Sequence, residues 1–216
     1  MAQDITPQQL AQAAKLYEEM EKAPKAGKID QTQTVNDQIK TFRILNLSAE
    51  ESTISDTQFP KIQNMNQGLF IVSDADEELL ILVEFRQEVD LDSFTLFAIQ
   101  TAKEEEYSAP KNIRLFKADS LNRDFDDVKN NNKFDAKFAA KKEKLKNGQT
   151  FSLKKNAKST VKFSKTKYLL IYISSNQDGT EQTYLNGIHF TGSVKETTDM
   201  SKWEQVAAEA KKKMEQ

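Results

Sequence analysis

The sequence predicts an all-β protein, an antiparallel β-sandwich of the jelly-roll type with one helix at each end. Three observations predict it. Residues 79–85 and 168–173 are short, nearly continuous apolar runs rich in branched and aromatic side chains, the pattern of strands buried on both faces. Further strand-like segments recur around them, separated by turn-forming residues at short spacing. Helical periodicity is confined to the two ends. Two sheets closed over one core protect their edges, which favours a jelly roll.

In chain order, Thr6, Pro7 and Gln9 form a helix start, a cap followed by proline at the first helical position and a capping-box partner. Leu10, Ala14, Tyr17 and Met20 then follow at helical spacing to about Lys22, a modest apolar stripe that needs something to dock on. Residues 1–28 are therefore expected to be a helical arm. Residues 29–68 are polar and read as an irregular wrap with a short strand at 41–47. The main domain is expected over 69–198. Its strands are placed at 69–72, at 79–85 and, after a link at 87–92, at 94–99, then at 113–116. A helical turn at 124–128 follows, and an insertion is anchored by Phe134 and Phe138. The Asn147-Gly148 pair signals a turn, and further strands are expected at 150–153, 161–163, 168–173 and 184–191. Within the last of these, Ile188 and Phe190 should face one way and His189 the other. Residues 199–216 read as a C-terminal helix, with Ser201 and Glu204 as a capping box and Trp203 as its anchor.

At 216 residues, one domain with appendages is expected, and a charged fraction of 30% against a hydrophobic fraction of 38% places part of the chain outside a core. There is no cysteine, no basic-then-apolar leader and no apolar run near the roughly 20 residues of a membrane helix. The expectation is a soluble cytoplasmic protein, with the nucleus or a cilium as further locations, and no membrane partner.

The net charge of −2 conceals segregation. Between Asp74 and Glu106 eleven acidic residues face two basic ones, whereas Lys137 to Lys167 holds eleven lysines and one acid, Glu143. Such runs either attract each other across the fold or orient the protein on a charged partner. Lysine without arginine does not suit base-edge readout, and the phenylalanines of the run are spaced for burial, so no nucleic acid is expected. Docking on an acidic protein surface is the reading for Lys137, Lys141, Lys142, Lys144, Lys146, Lys154, Lys155 and Lys158, with Leu10, Tyr17 and Trp203 as apolar hooks.

Several stretches carry a resemblance beyond strand patterning. They are Asp76-Glu77-Glu78-Leu79-Leu80-Ile81-Leu82-Val83-Glu84-Phe85-Arg86-Gln87, Pro110-Lys111-Asn112-Ile113-Arg114-Leu115-Phe116, Asp124-Phe125-Asp126-Asp127-Val128, Val161-Lys162-Phe163, Ile171-Tyr172-Ile173-Ser174-Ser175-Asn176-Gln177, Glu181-Gln182-Thr183 and Thr198-Asp199-Met200. In that order, over about residues 69 to 203, the chain resembles the PITH domain, the proteasome-interacting module of thioredoxin-like proteins and of small stand-alone proteins. With no Cys-x-x-Cys, it is similar to the stand-alone kind. The resemblance implies a galactose-binding-like jelly roll and association with the 26S proteasome.

Residue types for catalysis do not converge. The single histidine, His189, lies inside an expected strand, no Gly-x-Ser-x-Gly elbow is present, and six glycines form no phosphate loop. The carboxylate pairs Asp74/Asp76, Asp90/Asp92 and Asp126/Asp127 are placed in loops, where solvation keeps both members ionised. The cluster at 74–78 matches no calcium-loop spacing. No enzyme activity, cofactor or metal is expected. The function expected is a non-catalytic interaction module docking on a large assembly, the proteasome by family precedent. The alternatives are a component of a microtubule-based or axonemal structure and, below it, a sugar-binding jelly roll, for which Tyr107 and Tyr184 are the few candidate loop-tip aromatics.

Overall fold

In the computed structural model, which describes residues 33–62, 68–99, 105–131, 133–154 and 162–194, the strands are β1 (Gln33–Thr34), β2 (Ile39–Leu45), β3 (Ile71–Val72), β4 (Leu79–Phe97), β5 (Tyr107–Ser108), β6 (Pro110–Ala118), β7 (Ala136–Ala139), β8 (Gln149–Ser152), β9 (Thr166–Asn176), β10 (Gln182–Leu185) and β11 (Gly187–Val194). Two short helices, α1 (Phe125–Lys129) and α2 (Lys142–Leu145), sit between β6 and β8.

The 19-residue β4 organises these strands. Its first half pairs with β2 on one side, Leu80 opposite Leu45, and with β9 on the other, Leu79 opposite Ile173 through Glu84 opposite Tyr168. Its second half pairs with β11 and β8, Phe94 lying opposite both Phe190 and Phe151. One strand therefore passes through both layers of a sandwich, β2-β4-β9-β6-β7 and β1-β11-β4-β8. The register with β9 shifts between Glu84 and Val89. A second shift, between Thr191 and Gly192, falls where a Cβ on Gly192 would collide with the Asp90 carbonyl oxygen, so only glycine fits there. A small sheet, β3-β10-β5, closes one end, antiparallel on the β3 side and parallel on the β5 side.

The main core lies between the layers and gathers Ile81, Val83 and Phe85 with Phe94, Leu169, Ile171, Ile188 and Phe190. Edge-on packing of Phe85 against Phe190, 5.9 Å between ring centres, joins the two halves. A second core lies on the outer face of the β4–β9 layer. There Leu80, Leu82, Phe116, Leu170 and Tyr172 are covered by Val128 of α1 with Leu121, Phe125 and Phe134. Asp124 caps α1, accepting from the Asp126 and Asp127 amides, while the Asp127 carboxylate accepts from the Asp124 amide.

The buried pair of runs, the turn at Asn147-Gly148 and the helical turn at 124–128 all appear as the sequence predicts. Three expectations are corrected. Residues 87–92 are not a link: β4 runs through them, and Asp90 and Asp92 sit in a strand rather than a loop. Phe163 is buried but lies in a turn before β9, with Lys165 at φ 50° and the Thr166 hydroxyl donating to the Phe163 carbonyl at 2.8 Å. The expected strand at 184–191 is two strands, separated at Asn186. The expected terminal helices, and with them Leu10, Tyr17 and Trp203, lie outside the described residues. Among the described residues no helix is long and apolar enough to cross a membrane.

Candidate protein-docking site

Of the basic run, Lys137 lies on β7, Lys141, Lys142, Lys144 and Lys146 lie on or beside α2, and Lys154 follows β8, while Lys162, Lys165 and Lys167 lie before and in β9. Only four residues long, α2 is held by its fully buried Leu145, whose carbonyl accepts from the Ala98 amide at 3.0 Å at the end of β4. The turn into β8 needs Gly148: its φ is 86°, and a Cβ there would lie 2.5 Å from the Phe97 ring. The Lys141 amide donates to the Gln149 side chain at 2.7 Å and closes the loop. Beneath it, Phe94, Phe138 and Phe151 pack with ring centres 4.9 to 5.6 Å apart.

A groove of about 680 Å³ opens between β7 and β8, lined by Lys137, Phe138, Lys144, Glu143, Thr150 and Phe151 among others. Lys137 and Lys144 of its lining are exposed, as are Lys141 and Lys146 at the two ends of α2. The expected docking lysines divide here. Lys142 bonds the Asp178 carboxylate at 2.7 Å, and Lys154 pairs with Asp92, so these two tie the basic run to the rest of the fold. Lys155 and Lys158 lie outside the described residues.

The Lys142 anchor continues into a network. Asp178 also accepts from the Ser108 hydroxyl at 2.7 Å, and these two donors hold its carboxyl below the usual aspartate range. The neighbouring Gln177 side chain donates to the Pro110 and Ala140 carbonyls. The loop carrying the lysines is thus pinned to the turn after β9.

The acidic run is engaged locally. The Asp76 carboxylate accepts from the Asn46 side chain at 2.8 Å and from the Glu78 amide, and Glu77 accepts from the Asn176 amide. Glu78 takes the Tyr172 hydroxyl at 2.6 Å and pairs with Lys129. Burial, together with this carboxylate, pushes the Tyr172 hydroxyl well above the ordinary tyrosine range. The Asp90 carboxylate accepts from the Lys165 amide. The Asp90 and Asp92 carboxylates are therefore divided between separate partners, the Lys165 amide and Lys154. Among the described residues no three His, Asp or Glu side chains group as a metal-ligand set. His189 Nε2 lies 2.9 Å from the Ile62 carbonyl, and its ring stands edge-on to Phe97. Tyr107 and Tyr184, candidates for exposed aromatics, are buried at 2% and 3% exposure, so neither offers a ring to a sugar.

Sequence reasoning missed the asparagines that stitch distant loops. Asn36 bonds Pro60, Ile188 and Phe190. Asn46, at φ 61°, gathers Ala75, Asp76 and Glu78, and the fully buried Asn186 joins Ile99 to Leu69. Only Asn176, quoted within a family stretch, carried a signal.

The family model described as "PITH domain" matches residues 25–209. No curated protein matches. Among solved structures, the lectin binding domain of Lectinolysin (His 62 mutant, complexed with Lewis b) is similar with a TM-score of 0.51 at 7% identity, covering 75% of this chain and 98% of that one. The C-terminal domain of a chitobiase from Bacteroides fragilis has a TM-score of 0.48 at 12% identity, covering 75% and 99%. The family 32 CBM from Clostridium perfringens NanJ, in complex with galactose, has 0.47 at 7%, covering 73% and 97%. At such identities the Lectinolysin likeness speaks for the fold alone, a galactose-binding-like jelly roll.

Proposed function

This chain belongs to the PITH domain family, and on that premise we propose that it is a non-catalytic interaction module that docks on an acidic surface of the 26S proteasome, the assembly with which the family is associated. The observation that carries the reading is a set of exposed lysines, Lys137 and Lys144 lining an open groove and Lys141 and Lys146 at the ends of the helix beside it. Exposed ammonium groups on a pinned loop attract a carboxylate-rich surface and speed encounter without demanding a fixed bond geometry. Lys142 and Lys154 serve that surface indirectly, by fixing the loop that presents it.

Reversing Lys137, Lys141, Lys144 and Lys146 together to glutamate tests the reading and leaves the Lys142–Asp178 pair intact. The tagged full chain, purified from its own cells at low salt, should recover proteasome subunits, and the reversed variant should lose them with an unchanged melting temperature. Undiminished recovery by the folded variant overturns the reading. Lysine-dependent recovery of tubulin without proteasome replaces the proteasome by a microtubule-based partner.

A further inference from the structure

Among the described residues, the groove is bordered by two strands that each lack a neighbour on one side: there β7 pairs only with β6, and β8 only with β4. The Ala140 amide donates to the Lys111 carbonyl at 2.8 Å, extending the β6–β7 ladder by one hydrogen-bonded pair. In an antiparallel ladder such pairs alternate, so Phe138 faces β6 while Lys137 and Ala139 turn their N–H and C=O groups outward. The same count from the Leu153 amide, bonded to the Asp92 carbonyl, turns Thr150 and Ser152 outward on β8. Exposed edges of this kind are templates for another strand. Here the edge is short, the floor is aromatic, and the rim is basic, with six lysines and one acid, Glu143, from residue 137 to 154.

We propose that an acidic segment of the partner enters this groove in extended form and adds as a strand to the open edge of β7. Its backbone bonds Lys137 and Ala139, and its carboxylates meet Lys137 and Lys144. The inference rests on the docking reading above and specifies how the partner is held. Lysine on an edge strand also serves to repel strand addition, so the test must separate backbone pairing from charge.

The probe is a fluorescent decamer of alternating Glu and Val, compared with the same decamer N-methylated at alternate residues. Methylation removes the donors needed for a ladder and keeps every charge. On the protein, Ala139→Pro deletes an outward N–H that makes no bond to β6, a substitution edge positions tolerate. Anisotropy titration of the full chain should show at least tenfold weaker binding on N-methylation, and the same for Ala139→Pro against the unmodified decamer. Equal affinity for both decamers overturns strand addition, even if the proline variant fails to fold. So does tighter binding of an oligothymidylate that displaces the decamer from the same lysines. The docking reading is judged separately by the lysine-reversal purification: it survives the loss of strand addition if that variant still loses the proteasome, and it fails if recovery persists, whatever the decamer does.

Discussion

Asp178 shows how one side chain decides the posture of a surface built around a lysine 36 residues away in sequence. Its carboxylate takes the Lys142 ammonium and the Ser108 hydroxyl together, so the lysine loop and β5 share an anchor. A carboxyl whose folded pKa is depressed stabilises the fold above its unfolded value, about 3.9, and that contribution disappears as pH falls through the lower folded value. Asp178→Asn should therefore melt below the parent at pH 7, with the gap closing below about pH 4 on a pH series of thermal scans. The side chain is 44% exposed, so solvent screens the pair and the gap should correspond to less than about 1 kcal/mol. A gap that widens in acid would contradict the assignment. Little of this was legible in the sequence. Asp178 reads as turn punctuation beside Gly179, and nothing in a linear pattern says which lysine of eleven will find it.

β4 and α1 show what periodicity can and cannot carry. Leu79 to Phe85 reads as a strand buried on both faces, and it is one, because every side chain from Leu79 to Val83 lies inside one of two cores. The run does not say what covers each face. The outer cover is a capped five-residue helix with Leu121 and Phe134, a segment too short for helical periodicity to register. The continuation through Arg86-Gln87-Glu88 was hidden for the converse reason: three polar residues at a register shift look like a loop, although the backbone stays extended. Phe163 misled in its own way, since a buried aromatic between polar residues fits a strand and a packed turn equally well. A consequence of the outer core is measurable. Leu82→Ala, at a position 1% exposed on the outer face, should destabilise by about 2–5 kcal/mol in urea unfolding, as an interior leucine would. A change within about 0.5 kcal/mol, the surface norm, would mean that α1 does not cover that face.

For the molecule as a whole, the two charge runs play different parts from those their lengths suggest. The acidic run is largely internal cement, holding asparagines, backbone amides and Tyr172, while the basic run splits between anchors and an exposed rim. The sandwich class and the family are legible from residue pattern; the strand pairing and the division of the lysines are not, because they depend on which strands and carboxylates arrive opposite them. If the rim is the docking face, association should be far more salt-sensitive than folding. Raising salt from about 0.1 M to about 1 M shortens the screening length from about 10 Å to about 3 Å. That change should release the partner in a pull-down while the melting temperature, fixed by two apolar cores, moves little. Retention at high salt would point to an apolar docking face instead.

The passage of β4 through both layers also has a mechanical side. In a sandwich whose layers are joined only by loops, a tangential load is borne by side chains sliding across the core. Here a load that pulls one layer past the other is carried by the peptide bonds between Phe85 and Val89, which do not creep. Such stiffness ties the two layers through the backbone of one strand.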